Sequence, residues 1–383
     1  MLNMIFMKKI FLLLVATAMI AGGCSKNDSN EPQQPKIKNR QTPSIPDLTP
    51  SPLPKPEAQI PRAILNISFD ESFENTIYPS FIYSMAQAEQ NINKKIEYIV
   101  LDISSDKSFQ GRIKVTNDRF IQETIIDRFI PQGNTQVGIA PLWKYDNFIN
   151  IDRPGFTYFK VELIDFKTDK LIATQSIRLS YRSINECVFG LRQPNGGVAD
   201  WTAFFTAYVN EDSRVVENFL KEVADYWDFN PNFHGWVGYQ LGEDYILNQV
   251  VWVCVYLNSK GMKYSNITET SNTSTKIFSQ NVRLIENTIT NTQANCVDGS
   301  VLLASIFKKI GLDCFLVTQP SHMFLAVARK RNPQYQNDYI LIETTRIDAI
   351  NMGFLKNWRE VDTANMNFID INRARAAGIK PIQ

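Results

Sequence analysis

The chain has 383 residues, enough for two domains and an ample core. With 40 Lys and Arg against 39 Asp and Glu it has no electrostatic footprint for an anionic partner, and no nucleic-acid binding is expected. Only two histidines occur, His234 and His322, without zinc-ligand spacing, so the expected chemistry needs no metal or cofactor.

In chain order, Met7-Lys8-Lys9 followed by the apolar run Ile10 to Ile20 reads as a signal peptide over residues 1–23, too short to span a bilayer. It ends Ala21-Gly22-Gly23 before Cys24. Small residues in front of a cysteine resemble the lipobox of bacterial lipoproteins, which implies lipidation of Cys24 and a lipid anchor in the bacterial cell envelope. Ser25 is compatible with outer-membrane residence, and Asp28 and Glu31 resemble the acidic tag of surface-exported lipoproteins; the periplasmic and surface faces both stay open. Residues 24–61, with Pro43, Pro46, Pro50, Pro52, Pro54, Pro56 and Pro61, cannot bury a core and read as a tether.

From 62 to 183 the period is two: Leu65, Ile67 and Phe69; Ile99, Leu101 and Ile103; Ile113 and Val115; Phe159, Val161 and Leu163; Ile177, Leu179 and Tyr181. With a turn at Asp165 to Lys170, this predicts an antiparallel β-sandwich of immunoglobulin-like type, acting as a spacer or carrying a binding face. A turn-rich joint, Pro194-Asn195-Gly196-Gly197, leads into the second domain, residues 184–383, where helices are expected over 215–226 and 245–257. Tyr245, Gln249, Trp252 and Tyr256 line one side of the latter and read as core packing, and His234 as a packed or surface histidine. The Ser/Thr/Asn-rich stretch Tyr264 to Gln280 reads either as a wall of a substrate groove or as a surface excursion. Cys254 and Cys314 lie in apolar runs and read as buried thiols, while a disulfide among the cysteines after Cys24 stays open.

Three residues stand where chemistry is delivered. Cys296 precedes the apolar run Val301 to Ile310, which ends with Lys308, Lys309 and Gly311, so a helix starts at the cysteine and its positive end favours a thiolate. His322 opens a strand-like run and Glu343 closes another. A helix start, a strand start and a strand end can converge as nucleophile, base and the carboxylate that fixes the base's tautomer.

The segments Asn295-Cys296-Val297-Asp298-Gly299-Ser300, Pro320-Ser321-His322-Met323-Phe324 and Ile342-Glu343-Thr344-Thr345 resemble the transglutaminase-like superfamily, in a bacterial branch with a Cys-x-Asp-Gly-Ser/Thr helix start and a Glu-Thr-Thr strand end. Glu343 stands where the wider superfamily has Asp. The resemblance implies an α+β chain whose second domain is papain-like, with Cys296, His322 and Glu343 as catalytic residues and Gln293 as an oxyanion donor. It implies acyl transfer from peptide, protein or peptidoglycan-stem carboxamides through a thioester, as a peptidase, amidase or crosslinking acyltransferase. No acidic calcium loop of the calcium-switched transglutaminases is present. The alternative is a non-catalytic binding or assembly lipoprotein retaining this fold.

Overall fold

The computed structural model describes residues 60–91, 93–266, 274–349 and 352–383. The signal segment, Cys24 with its expected lipid, and nearly all of the tether lie outside the described residues, as does the stretch 267–273 of the polar segment. Among the described residues no helix is long and apolar enough to cross a membrane.

The chain mixes helices and strands in an α+β arrangement. Its N-terminal part contains β1 (Ala63–Phe69), β2 (Thr76–Ile77), β3 (Ile99–Ser105), β4 (Phe109–Thr116), β5 (Thr124–Ile130), β6 (Gly133–Ile139), β7 (Gly155–Asp165) and β8 (Lys170–Tyr181). They form a three-stranded sheet, β1-β3-β6, and a five-stranded sheet, β2-β8-β7-β4-β5. The period-two residues of β3, β4 and β7 are buried, because alternation turns one side of each strand inward. The pairing of β8 with β2 is parallel, where only antiparallel strands were expected. The turn joining β7 to β8 is held by Asp165, whose carboxylate accepts from the Lys167 amide at 3.2 Å and the Thr168 hydroxyl at 2.8 Å.

An unexpected helix, α1 (Pro79–Asn91), interrupts this region. Its sequence hides it: Phe81-Ile82-Tyr83 favours strand, and the first seven residues are buried in succession, so no helical stripe of apolar residues appears. Phe81 stacks on Trp201 with ring centroids 5.3 Å apart, and the Lys380 amide donates to the Ser84 carbonyl at 2.9 Å. The helix thus fastens the sheets to the C-terminal part, and one hydrophobic core runs through both.

The C-terminal part carries the predicted helices as α2 (Arg214–Trp227), α3 (Glu243–Ser259) and α5 (Cys296–Lys309), and adds the short α4 (Ile285–Asn291) and the short α6 (Ile371–Ala376). Tyr245, Gln249, Trp252 and Tyr256 are all buried, as the packing reading required. Gln249 is structural: its side-chain oxygen accepts from the Val237 and Gly238 amides at 3.2 and 3.1 Å.

Strands β9 (Glu186–Arg192) and β10 (Val198–Asp200) turn around Pro194-Asn195-Gly196-Gly197 and join β12 (Ile277–Asn281) in the order β10-β9-β12. The polar segment is therefore neither all groove wall nor all surface excursion. Its last residues form a sheet strand with Ile277 and Ser279 buried, concealed by polar composition. Strands β11 (Lys263–Tyr264) and β13 (Gln293–Ala294) pair in parallel. The last sheet has the order β17-β16-β15-β14-β18, from β14 (Cys314–Gln319), β15 (His322–Ala328), β16 (Tyr339–Ile342), β17 (Leu355–Lys356) and β18 (Asn367–Asp370). Helix α5 packs across β14 and β15, burying Val301, Leu302, Leu303, Ile306 and Phe307.

Candidate active site

The cysteine is placed by its own helix cap. Asn295 accepts from the Val297 and Asp298 amides at 2.9 and 2.8 Å, and Asp298 returns a bond to the Asn295 amide at 3.2 Å, a reciprocal capping box. Cys296 is therefore the first residue of α5, and its thiol is half-buried. Asp298 is fully buried and also accepts from Arg283, at 2.8 Å from its amide and 3.1 Å from its guanidinium. The guanidinium reaches on to the Gln293 carbonyl at 3.2 Å, tying β13 to the start of the helix. Burial pushes the Asp298 carboxyl upward, while the bonds from Arg283 and Asn295 pull it back.

The histidine enters on a tight hairpin. Gln319 pairs with His322, and the two residues between them are Pro320 and Ser321, the latter at a φ of 61°. A proline followed by a positive-φ residue is a type II turn, which normally uses glycine at the second position. The turn sets His322 at the first position of β15, with its side chain 29% exposed.

Glu343 closes β16 and is buried. Its Oε2 lies 2.9 Å from Nε2 of His322, and its Oε1 accepts from the Thr345 hydroxyl at 2.8 Å. Cys296 is near enough to the His322 ring to raise its pKa together with Glu343. With Nε2 on the carboxylate, Nδ1 is the ring nitrogen left for the sulfur. The structure thus brings Cys296, His322 and Glu343 together.

The residues around the triad interlock. Gly299 is a point of close approach: a Cβ there would sit 2.9 Å from the Thr344 Cβ. The Cys296 carbonyl accepts from Ser300 at 2.7 Å and Thr344 at 3.1 Å. Glycine lets the segment after Glu343 lie on the helix, the two hydroxyls clamp it to the cysteine's own backbone, and Thr345 steadies the acid.

Of two further neighbours, Lys356 has no counterpart in the sequence expectations and Tyr264 heads the stretch expected as a groove wall or a surface excursion. Lys356, on the two-residue β17, puts Nζ 2.8 Å from Oε2 of Glu343, with both side chains buried. Tyr264 on β11 pairs with Ala294, and its hydroxyl is raised by burial and by the charges of Cys296 and Glu343, so it borders the site. Gln293 sits on β13, half-buried, and among the described residues its side-chain amide has no hydrogen-bond partner. The other expectations for thiols and histidine agree with the structure. Cys187, Cys254 and Cys314 are free and buried, each pushed up by desolvation. His234 is exposed on a loop, where its amide donates to the Tyr245 hydroxyl at 2.7 Å.

Electrostatics favour a charged His322–Glu343 pair. Hydrogen bonds to Cys296 and then to Glu343 lift the His322 pKa from 6.5 to about 9, against the opposing pull of burial. For Glu343, burial alone would raise the carboxyl, but bonds from His322, Lys356 and Thr345 prevail and hold it at about 2, below its ordinary 4.5. A depressed acid stabilises the fold above its unfolded pKa, and that contribution drains away as pH falls from 4.5 through about 2. A raised histidine stabilises fully below 6.5, and its contribution is lost as pH rises through about 9. Unfolding midpoints should therefore peak between these windows, and Glu343→Gln should remove about 2–3 kcal/mol at the peak and flatten both flanks. Parallel wild-type and variant curves from pH 2 to 10 would show that the pair contributes nothing to stability.

Compared with protein-family models, curated proteins and solved structures, the chain matches none.

Proposed function

We propose that the protein is a cell-envelope lipoprotein whose C-terminal domain, of transglutaminase-like and papain-like type, transfers acyl groups from peptide or protein carboxamides through a thioester on Cys296. The N-terminal sheets, in this reading, are an immunoglobulin-like module that holds the domain away from the membrane anchored at Cys24. The single observation that carries the reading is the placement of Cys296, at the first position of α5, beside a His322 that is bonded to the buried Glu343.

The chemistry follows from those contacts. The Cys296 thiolate attacks the carboxamide carbon, and the carbonyl electrons move to oxygen. The Cys296 amide at the helix start and the unpartnered Gln293 carboxamide are the donors suited to that oxyanion. As the oxyanion collapses, the carbon–nitrogen bond breaks, and His322 gives its proton to the departing amine. Water, or a second amine, then attacks the thioester and loses a proton to the neutral His322. The sulfur leaves as thiolate, and an acid or a new amide is released. Glu343 keeps Nε2 protonated throughout and balances the imidazolium.

Intact-mass spectrometry of the full-length protein, incubated with a glutamine-containing peptide and quenched in acid, should find the acyl adduct on Cys296, and hydroxylamine should discharge it. The same spectra should show an acylated Cys24 at the mature N-terminus. No adduct with any peptide amide, alongside intact fold, would favour the non-catalytic binding module; an unmodified Cys24 would remove the anchor.

A further inference from the structure

The carboxylate that orients the histidine is shared. Oε2 of Glu343 takes Nε2 of His322 at 2.9 Å and Nζ of Lys356 at 2.8 Å. The Lys356 side chain is only 7% exposed, and Nζ also stands over the Phe324 ring, 5.2 Å from its centroid. Its place is fixed by sheet pairing, since Lys356 is opposite Leu341 where β17 closes the edge of β16. The charged and titratable groups facing the histidine and its carboxylate are Cys296 from α5, Glu343 from the end of β16, Lys356 from β17 and Tyr264 from β11.

We propose that Lys356 is a positioning residue of the acyl-transfer site: its buried ammonium takes a share of the Glu343 carboxylate that holds His322 and so keeps the imidazolium acidic enough to surrender its proton. The inference rests on the Cys296 chemistry proposed above. Two cationic groups on one oxygen stand no more than about 6 Å apart, close enough to disfavour each other's charge in a low-dielectric setting. Without Lys356 the whole carboxylate would serve the imidazolium, which would hold its proton more tightly. A general acid works best with a pKa near the operating pH, so an over-stabilised imidazolium is a poor proton donor to the leaving amine. A merely structural lysine predicts the opposite direction: loosening Glu343 weakens its bond to His322 and lets the proton go sooner.

Because only His234 and His322 are present, ¹⁵N-histidine NMR reads the site directly. The titration should be followed from pH 6 to 11 in wild type, Lys356→Met, Lys356→Gln and Lys356→Arg. The His322 midpoint is expected near 9 in wild type, about one pH unit higher in the Met and Gln variants, and at the wild-type position in the Arg variant. An unmoved or lowered midpoint in both charge-removing variants overturns the proposal. So does a failure of both to fold while Lys356→Arg folds, since Lys356 would then be a structural anchor. Iodoacetamide labelling of the wild type at pH 6 separates the two claims. Slow labelling of Cys296 defeats the acyl-transfer reading and this inference with it, whereas fast labelling with an unmoved His322 midpoint defeats the lysine's role alone.

Discussion

Cys296→Ala is expected to end thioester formation completely, a loss on the order of 10⁴–10⁶-fold in turnover, while leaving the unfolding midpoint nearly unchanged. Cys314→Ala should do the reverse. The two sulfurs differ in surroundings: the first is half-exposed at the first position of α5, the second is 1% exposed inside β14. Removing the buried sulfur leaves a void in a close-packed layer, at a cost of about 1–3 kcal/mol, but touches no group in the triad. Replacing the half-exposed one takes away the nucleophile and little packing. The measurement is the pair of adduct yields beside the pair of urea midpoints. If the variants lose activity and stability in the same proportion, the division into reactive and structural thiols fails.

What the sequence made legible follows from where each residue sits in its element. Cys296, His322 and Glu343 stand at a helix start, a strand start and a strand end, and such boundaries are marked locally by a cap, a proline turn and a change of period. The helix start was legible from the apolar run Val301 to Ile310 and the Lys308, Lys309 and Gly311 that end it, whereas the Asn295–Asp298 cap emerged only in the structure. Lys356 could not be read. Its strand is two residues long, and its contact with Glu343 depends on how β17 pairs with β16, which no local pattern encodes. Tyr264 headed the stretch expected as a groove wall or a surface excursion, but the parallel pairing that brings it to the site, with a strand nearly thirty residues downstream, had no local signal. Helix α1 was missed because burial along its first two turns erased the apolar stripe that period-counting needs. Long-range pairing and complete burial thus defeat local reading, as polar composition did at β12. The lost pairings fall on neighbours of the site, Lys356 and Tyr264, and the lost helix on the joint between the sheets and the C-terminal part.

Among the supports of the site, the Arg283–Asp298 pair should be the most costly to break. The Asp298 side chain is wholly inaccessible and that of Arg283 only 14% exposed, so neither charge has water to fall back on. Arg283→Met removes the guanidinium from the carboxylate and from the Gln293 carbonyl together. Losing one partner of a buried ion pair costs about 3–5 kcal/mol, because the remaining charge is left without compensation. The pH dependence has a definite sign. Asp298 already sits above its ordinary pKa through burial, and the loss of Arg283 should raise it further. An acid raised in the folded state destabilises once the unfolded chain can ionise, so the variant's deficit should be greatest near neutral pH and shrink as pH falls through the ordinary Asp range, 3.8. Arg283→Met combined with Asp298→Asn should recover part of the loss, since the amide carries no charge and its oxygen can still accept from the Asn295 and Arg283-position amides. Cys296 labelling should slow in the single variant, because the carboxylate that caps α5 is the one left uncompensated. Urea denaturation of both variants from pH 3 to 8 decides the matter: a deficit under about 1 kcal/mol at pH 7, or one that grows on acidification, would mean that the cap holds α5 without its arginine.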